Sequence, residues 1–169
     1  MNFFKPSFIF FLGFILLMSS CKKEGCIDVF ANNYSSDAVK DDGSCSYQSD
    51  YFVGRYAIID SITGGMIPGK WSAERNYTIE IVQNQDNLSE IIIKNWANIS
   101  SNTDSPTQLI AQVDGDNFFI RFQEITNTKG YTSQTSSGIV FGDSIYYIFS
   151  YQNAYGEVFG GNSKGTKIE

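Results

Sequence analysis

The chain has 169 residues, a net charge of −6 from 12 basic and 18 acidic side chains, and no histidine. Without histidine there is no Ser-His or Cys-His nucleophile pair, no imidazole general base and no His-ligated metal. An acidic chain with no basic run does not attract nucleic acid or anionic lipid by charge.

The N-terminus reads as an export signal. Lys5 supplies a positive start, Phe8 to Met18 (FIFFLGFILLM) is uninterrupted apolar sequence, and Ser19-Ser20 provide small residues before Cys21. Such a run suits a signal-peptide core and is too short to span a bilayer, which takes about 20 residues. Six phenylalanines between Met1 and Phe14 leave no polar face for a surface helix. Removing residues 1–20 takes Lys5 with it and leaves 11 basic against 18 acidic residues, a net charge of −7.

Met18-Ser19-Ser20-Cys21 resembles the lipobox of Bacteroidota-type lipoproteins. That resemblance implies cleavage before Cys21, a thioether-linked diacylglycerol on its sulfur and acylation of its new amino group. Several acyl chains hold a protein firmly where one gives marginal binding. Lys22-Lys23-Glu24 looks like the short charged tag that directs such lipoproteins outward, and no Asp follows Cys21 to imply inner-membrane retention. The expected location is the outer membrane, on its periplasmic or surface-exposed side, with residues 21–25 as lipidated cysteine and tether.

Residues 26–47 form a short polar module. With Cys21 lipidated, Cys26 and Cys45 are the remaining thiols, and in an oxidising envelope they are expected to pair. Closing a loop of this length contributes about 3 kcal/mol in the chain-entropy view. Asp28, Asn32, Asn33, Asp37, Asp41 and Asp42 suit Asx-turns, and Asp42-Gly43 is a turn signal. The segment resembles a motif of Bacteroidota surface and secreted proteins, Cys-x-Asp-x-x-Ala-x-Asn-Tyr followed by Ala-x-x-Asp-Asp-Gly-Ser-Cys-x-Tyr. Cys26, Asp28, Ala31, Asn33, Tyr34, Ala38, Asp41, Asp42, Gly43, Ser44, Cys45 and Tyr47 fall on it. The resemblance implies an extracellular setting rather than an activity. The carboxylates of Asp28, Asp37, Asp41 and Asp42 could alternatively hold calcium, although their spacing is not that of an EF-hand loop; structural turns are the preferred reading.

From residue 51 to residue 169 the pattern is all-β, with short runs rich in Ile, Val, Phe, Tyr and Thr broken by Gly, Asn and Asp. Predicted strands are 51–61, 76–83, 89–95, 107–113, 118–123, 131–135, 138–141, 144–152 and 157–159, with a last one near Thr166. No stretch has sustained helical periodicity. Asp114-Gly115-Asp116 and Gly142-Asp143 are hairpin signals. Consecutive hairpins make an antiparallel meander. About eight strands in that order favour an up-and-down barrel, which removes exposed edges, over an open sandwich.

Gly54-x-Tyr56 resembles the Gly-x-Trp that opens lipocalins and related small barrels, without a counterpart of their closing basic residue. The resemblance implies a pocket for a small apolar ligand, which in an eight-stranded barrel competes with filling by side chains. Alternation puts Tyr77, Ile79 and Ile81 on one strand face and Phe118, Ile120 and Phe122 on another, the candidate lining of such a pocket. Tyr146 and Tyr147 must point to opposite faces, and Trp71 and Trp96 fall in or beside loops. Asp60, Glu80, Glu90, Asp116 and Glu124 are scattered over different segments, so no glycosidase-type pair is indicated. The expectation is a non-catalytic envelope module without a cofactor, anchored to the membrane by lipid, that binds a small ligand or an envelope protein. A carboxylate-dependent glycan hydrolase and a purely structural lipoprotein are the alternatives.

Overall fold

The computed structural model describes residues 22–64, 72–99 and 106–169. The expected signal peptide, Cys21 and Trp71 lie outside these residues. The chain divides into two compact units, one ending at Ser46 and one running from Tyr47 to Glu169.

In the first unit Cys26 and Cys45 are joined by a disulfide, with their Cα atoms 4.8 Å apart. The Asx residues act on the backbone two positions ahead. Asp28 Oδ1 accepts from Phe30 N, Asp41 Oδ1 from Gly43 N and Asp42 Oδ1 from Ser44 N, at 2.9–3.0 Å. Asn33 clamps the second cysteine's strand, donating to Ser44 O and accepting from Ser46 N. Asp37 pairs instead with Lys23 at 3.0 Å, and Lys40 with Glu24 at 2.6 Å. A parallel bridge joins Glu24 to Lys40. The tether expected at 21–25 is therefore partly folded: Lys23, Glu24 and Gly25 belong to the module.

The second unit is all-β. Among the described residues it has no α-helix, only 3₁₀ turns at Gln48–Phe52 and Trp96–Asn98. Its strands are β1 (Gly54–Gly64), β2 (Ser72–Gln83), β3 (Glu90–Lys94), β4 (Gln108–Asp114), β5 (Asn117–Ile120), β6 (Gln123–Glu124), β7 (Thr132–Ser133), β8 (Ser136–Phe141), β9 (Ser144–Gln152) and β10 (Val158–Lys167). The order β10-β1-β2-β3-β4-β5-β8-β9, with β9 pairing back onto β10, is a closed eight-stranded antiparallel barrel. Short β6 and β7 continue the lines of β5 and β8 beyond local breaks. The predicted segments at 157–159 and near Thr166 are one strand, β10, whose glycines hid its continuity.

The hairpins at Gly115-Asp116 and Gly142-Asp143 each have φ +56° at the glycine, the conformation a two-residue hairpin reserves for a residue without Cβ. Tyr51 and Phe52, expected in the first strand, belong to the 3₁₀ turn. That turn caps one end of the barrel. Tyr56 Oη donates to Phe52 O at 3.0 Å, Ser49 Oγ to Leu88 O at 2.7 Å and Gly142 N to Tyr51 Oη at 2.9 Å. Phe52 is fully buried, with its ring edge-on to Phe118 at 6.2 Å. Lys167 Nζ, from the end of β10, lies 5.8 Å from the Tyr56 ring centroid.

The alternation of β1 places Tyr56, Ile58, Asp60 and Ile62 inside. β9 sends in Ile145, Tyr147, Phe149 and Tyr151, and Trp96 packs edge-on against Phe149 at 5.8 Å. β10 answers with small residues at Gly161, Ser163 and Gly165, and a Cβ at Gly161 would strike Ser61 O and Phe149, one at Gly165 Ile58 and Ile145. Gly138 on β8 is just as crowded, since a Cβ there would sit 2.6 Å from Tyr147 Cβ and against the Phe118 ring. Overpacking of this kind costs about 1–3 kcal/mol. Gly138→Ala should lower stability by that amount in a denaturant titration; an unchanged midpoint would mean the interior yields easily.

Candidate functional site

The residues assigned to a pocket lining divide in the structure. Ile79, Ile81, Phe118 and Ile120 are core, and Tyr77 is half-buried. Phe122 does not point inward: it is 65% exposed. The chain leaves the ladder after Ile120, and the Gln123 side chain takes the vacated place. Its Nε2 donates to Ile110 O at 2.8 Å, and its Oε1 accepts from Ile110 N at 3.0 Å. With the β4 backbone satisfied by an amide side chain, the break is inexpensive and the alternation changes phase.

Inside the barrel one polar row crosses four neighbouring strands. Arg75 on β2 is the cross-strand partner of Asp60 on β1, Asp60 of Ser163 on β10, and Ser163 of Tyr147 on β9. Arg75 holds Asp60 in a two-pronged contact, Nε to Oδ1 at 3.1 Å and Nη2 to Oδ2 at 2.8 Å. The Asp60 side chain is fully buried, while that of Arg75 keeps 21% exposure. Tyr77 Oη donates to Asp60 Oδ2 at 3.0 Å, which leaves Tyr147 to donate to Tyr77 Oη, also at 3.0 Å. A carboxylate with three hydrogen bonds and a guanidinium partner is what makes burial of the charge tolerable.

Burial pushes the Tyr147 phenol up to about 12 and the Tyr77 phenol further above its ordinary range, with Tyr147 and Asp60 adding to the latter. Tyr56, buried at the capped end, also rises to about 12. These groups are neutral hydrogen-bonding elements at physiological pH. Of the other carboxylates considered, Glu80 pairs with Lys94 at 3.1 Å and Glu90 accepts from Asn84 Nδ2 at 2.8 Å. Asp28, Asp37, Asp41 and Asp42 do not converge, and no group of three or more metal-capable side chains meets among the described residues.

The accessible hollows described are on the outside. One, of about 410 Å³, lies over β5, β8, β9 and β10 between Phe119, Ile139, Tyr146 and Ile148, with Asn117 and Ser137 at its margin. The second, of about 440 Å³, continues over β10, β1 and β2 past Ile59, Ser61, Glu74 and Lys164. They share Tyr146 and Asn162. Tyr146 is 51% exposed while its neighbour Tyr147 is buried, the two-faced arrangement that adjacent strand positions require. Trp96, beside a loop in sequence, is fully buried core.

Sequence reading noted Tyr146 but missed its companions. Asp60 did carry a signal: it is a charge in the apolar phase of the Tyr56, Ile58, Ile62 alternation.

No family model and no curated protein matches the chain. Among solved structures it is similar to a protein of unknown function from the DUF3598 family of Nostoc punctiforme, at 12% identity and a TM-score of 0.42, covering 70% of this chain and 48% of that one. It is also similar to the ywiB protein from Bacillus subtilis, at 7% identity and a TM-score of 0.39, covering 73% of this chain and 100% of that one. The chain thus spans about half the length of the Nostoc protein.

The buried phenols make stability depend on alkaline pH. A raised folded-state value means the folded protein holds the proton more tightly than the unfolded chain, whose tyrosines titrate near pH 10. Stability should be constant below about pH 10 and fall as pH rises towards about 12 and beyond. Denaturant midpoints measured across this window should decline less steeply in Tyr147→Phe; a flat profile for the native sequence would contradict the assignment.

Proposed function

We propose that this chain is a cell-envelope lipoprotein, anchored through Cys21 to the outer membrane, whose barrel is a non-catalytic binding module that uses its outer face. The anchor rests on the apolar leader and the small-small-Cys sequence at residues 18–21. The Cys26–Cys45 disulfide fits an oxidising compartment. The observation that carries the binding reading is the outward placement of Phe119, Ile139, Phe141, Tyr146 and Ile148 on three adjacent strands. A contiguous apolar and aromatic patch of this kind on a small domain favours an interaction site.

Binding on the outside replaces the expected apolar ligand in the lumen. Ile79, Ile81, Phe118 and Ile120, offered to such a ligand by sequence, are occupied with each other and with the aromatic rings around them.

Cys21→Ser should release the protein from membranes into the soluble envelope fraction; a variant that still sediments with membranes would refute the anchor. Hydroxyl-radical footprinting should find Phe119, Phe141, Tyr146 and Ile148 less reactive in protein on intact cells than in the same protein purified in detergent. Equal reactivity in the two preparations would refute binding by this face.

A further inference from the structure

We infer that the outer groove binds a neutral oligosaccharide chain laid across the strands, an inference that rests on the outer-face reading above. Shape is the first argument. The two hollows join at Tyr146 and Asn162 and run from β5 over β8, β9, β10 and β1 to β2. At about 4.8 Å between strands, the two hollows together span roughly 24 Å along the curved wall of the barrel. A ligand that reaches both is an extended chain able to curve with that wall.

Chemistry is the second. Phe119 and Tyr146 supply aromatic rings, while the Asn117 and Asn162 amides and the Ser61 and Ser137 hydroxyls can each donate and accept. Pyranose rings need this mixture. Their C–H faces are apolar and stack on aromatic rings, and every equatorial hydroxyl is both donor and acceptor. Glu74 and Lys164, at the far end, bring one charge of each sign.

Other extended ligands fit less well. A peptide strand gains its affinity by adding to an open sheet edge, and every strand along this groove is already paired on both sides. Nucleic acid or a polyanionic glycan would approach a mature chain of net charge −7. A lipid or apolar protein surface would strip water from Asn117, Asn162 and Glu74 without replacing their hydrogen bonds.

The groove is also rigid where it matters. Tyr147, directly following Tyr146, is locked inside by its contact with Tyr77 at 3.0 Å, and the β9–β10 ladder holds Asn162 opposite Ile148. A platform ordered before binding loses little entropy on complex formation.

The test is affinity electrophoresis of the full-length protein in detergent, through native gels containing a soluble β-glucan, xylan, mannan or galactan, with polygalacturonate as the polyanionic comparison. At least one neutral polysaccharide should retard the native protein. Tyr146→Ala should weaken that retardation about tenfold, the effect of removing one stacking ring from a binding face. Tyr146→Phe should keep it, and Asn162→Ala should weaken it, all at unchanged melting temperature because both side chains are exposed. Retardation by none of the neutral polymers, by polygalacturonate alone, or undiminished in both Tyr146→Ala and Asn162→Ala would overturn the inference. If the neutral polymers fail while the cell-surface footprint persists, the glycan inference falls and outer-face binding stands. Loss of both would remove both.

Discussion

Closure of the barrel through β10 is the constraint on which the rest depends. That strand pairs with β1 from Tyr56↔Lys167 to Gly64↔Phe159 and with β9 from Val158↔Gln152 to Thr166↔Ser144. An eight-stranded ring encloses a lumen barely wider than its own side chains. Whatever one strand contributes to that lumen, its neighbours must withhold. β9 contributes Tyr147 and Phe149 deep in the lumen, so β10 is reduced there to Gly161, Ser163 and Gly165, and only at its start does it bring a ring, Phe159, stacked on Tyr151 at 5.3 Å. The stacked Phe149 and Tyr151 rings, 6.3 Å apart, and the Trp96 edge against them occupy space that a carrier would keep for its ligand. With the inside filled by aromatics, the binding we propose falls to the outer wall.

The polar row is costly in such an interior, and its use is one of register. A buried ion pair adds little net stability over a well-packed apolar pair, but removing one partner strands the other. Asp60 meets Arg75 only in the observed alignment of β1 and β2. A slip of one residue would carry Asp60 to the solvent face and bring Ile59 or Ser61 inside. Along β10 the small inner residues offer little apolar pattern to hold alignment. Asp60, Ser163 and Tyr147 in line across β1, β10 and β9 supply polar markers in the middle of the closing strand, where bulky ones are missing.

What could be read from sequence follows the distance over which each feature is determined. The alternation of Tyr77, Ile79 and Ile81 on β2, the hairpins at Gly115 and Gly142, and the Asx-turns at Asp28, Asp41 and Asp42 are set within a few residues, and each was legible. Phe122 was misplaced because the break before it depends on Gln123 reaching Ile110 on another strand. β10 was divided in two because its glycines look like turn signals until the rings they accommodate are known. The tether was drawn too long because Lys23 and Glu24 find their partners, Asp37 and Lys40, only once the module has folded. The outer groove was least legible, since each of six strands gives it only one or two side chains.

Tyr146 and Tyr147 join the two sides of this argument. Adjacent residues on a strand share one backbone, so whatever holds that backbone at one holds it at the other. Tyr147 sits among Phe118, Phe149 and Tyr77 and cannot rotate without breaking the hydrogen bond that completes the polar row. The packed interior therefore has a consequence beyond stability. It holds the backbone that carries Tyr146, and through the ladder Asn162 opposite Ile148, in place on the outer wall. A filled interior in this way orders the strand that faces solvent as well as the core it encloses.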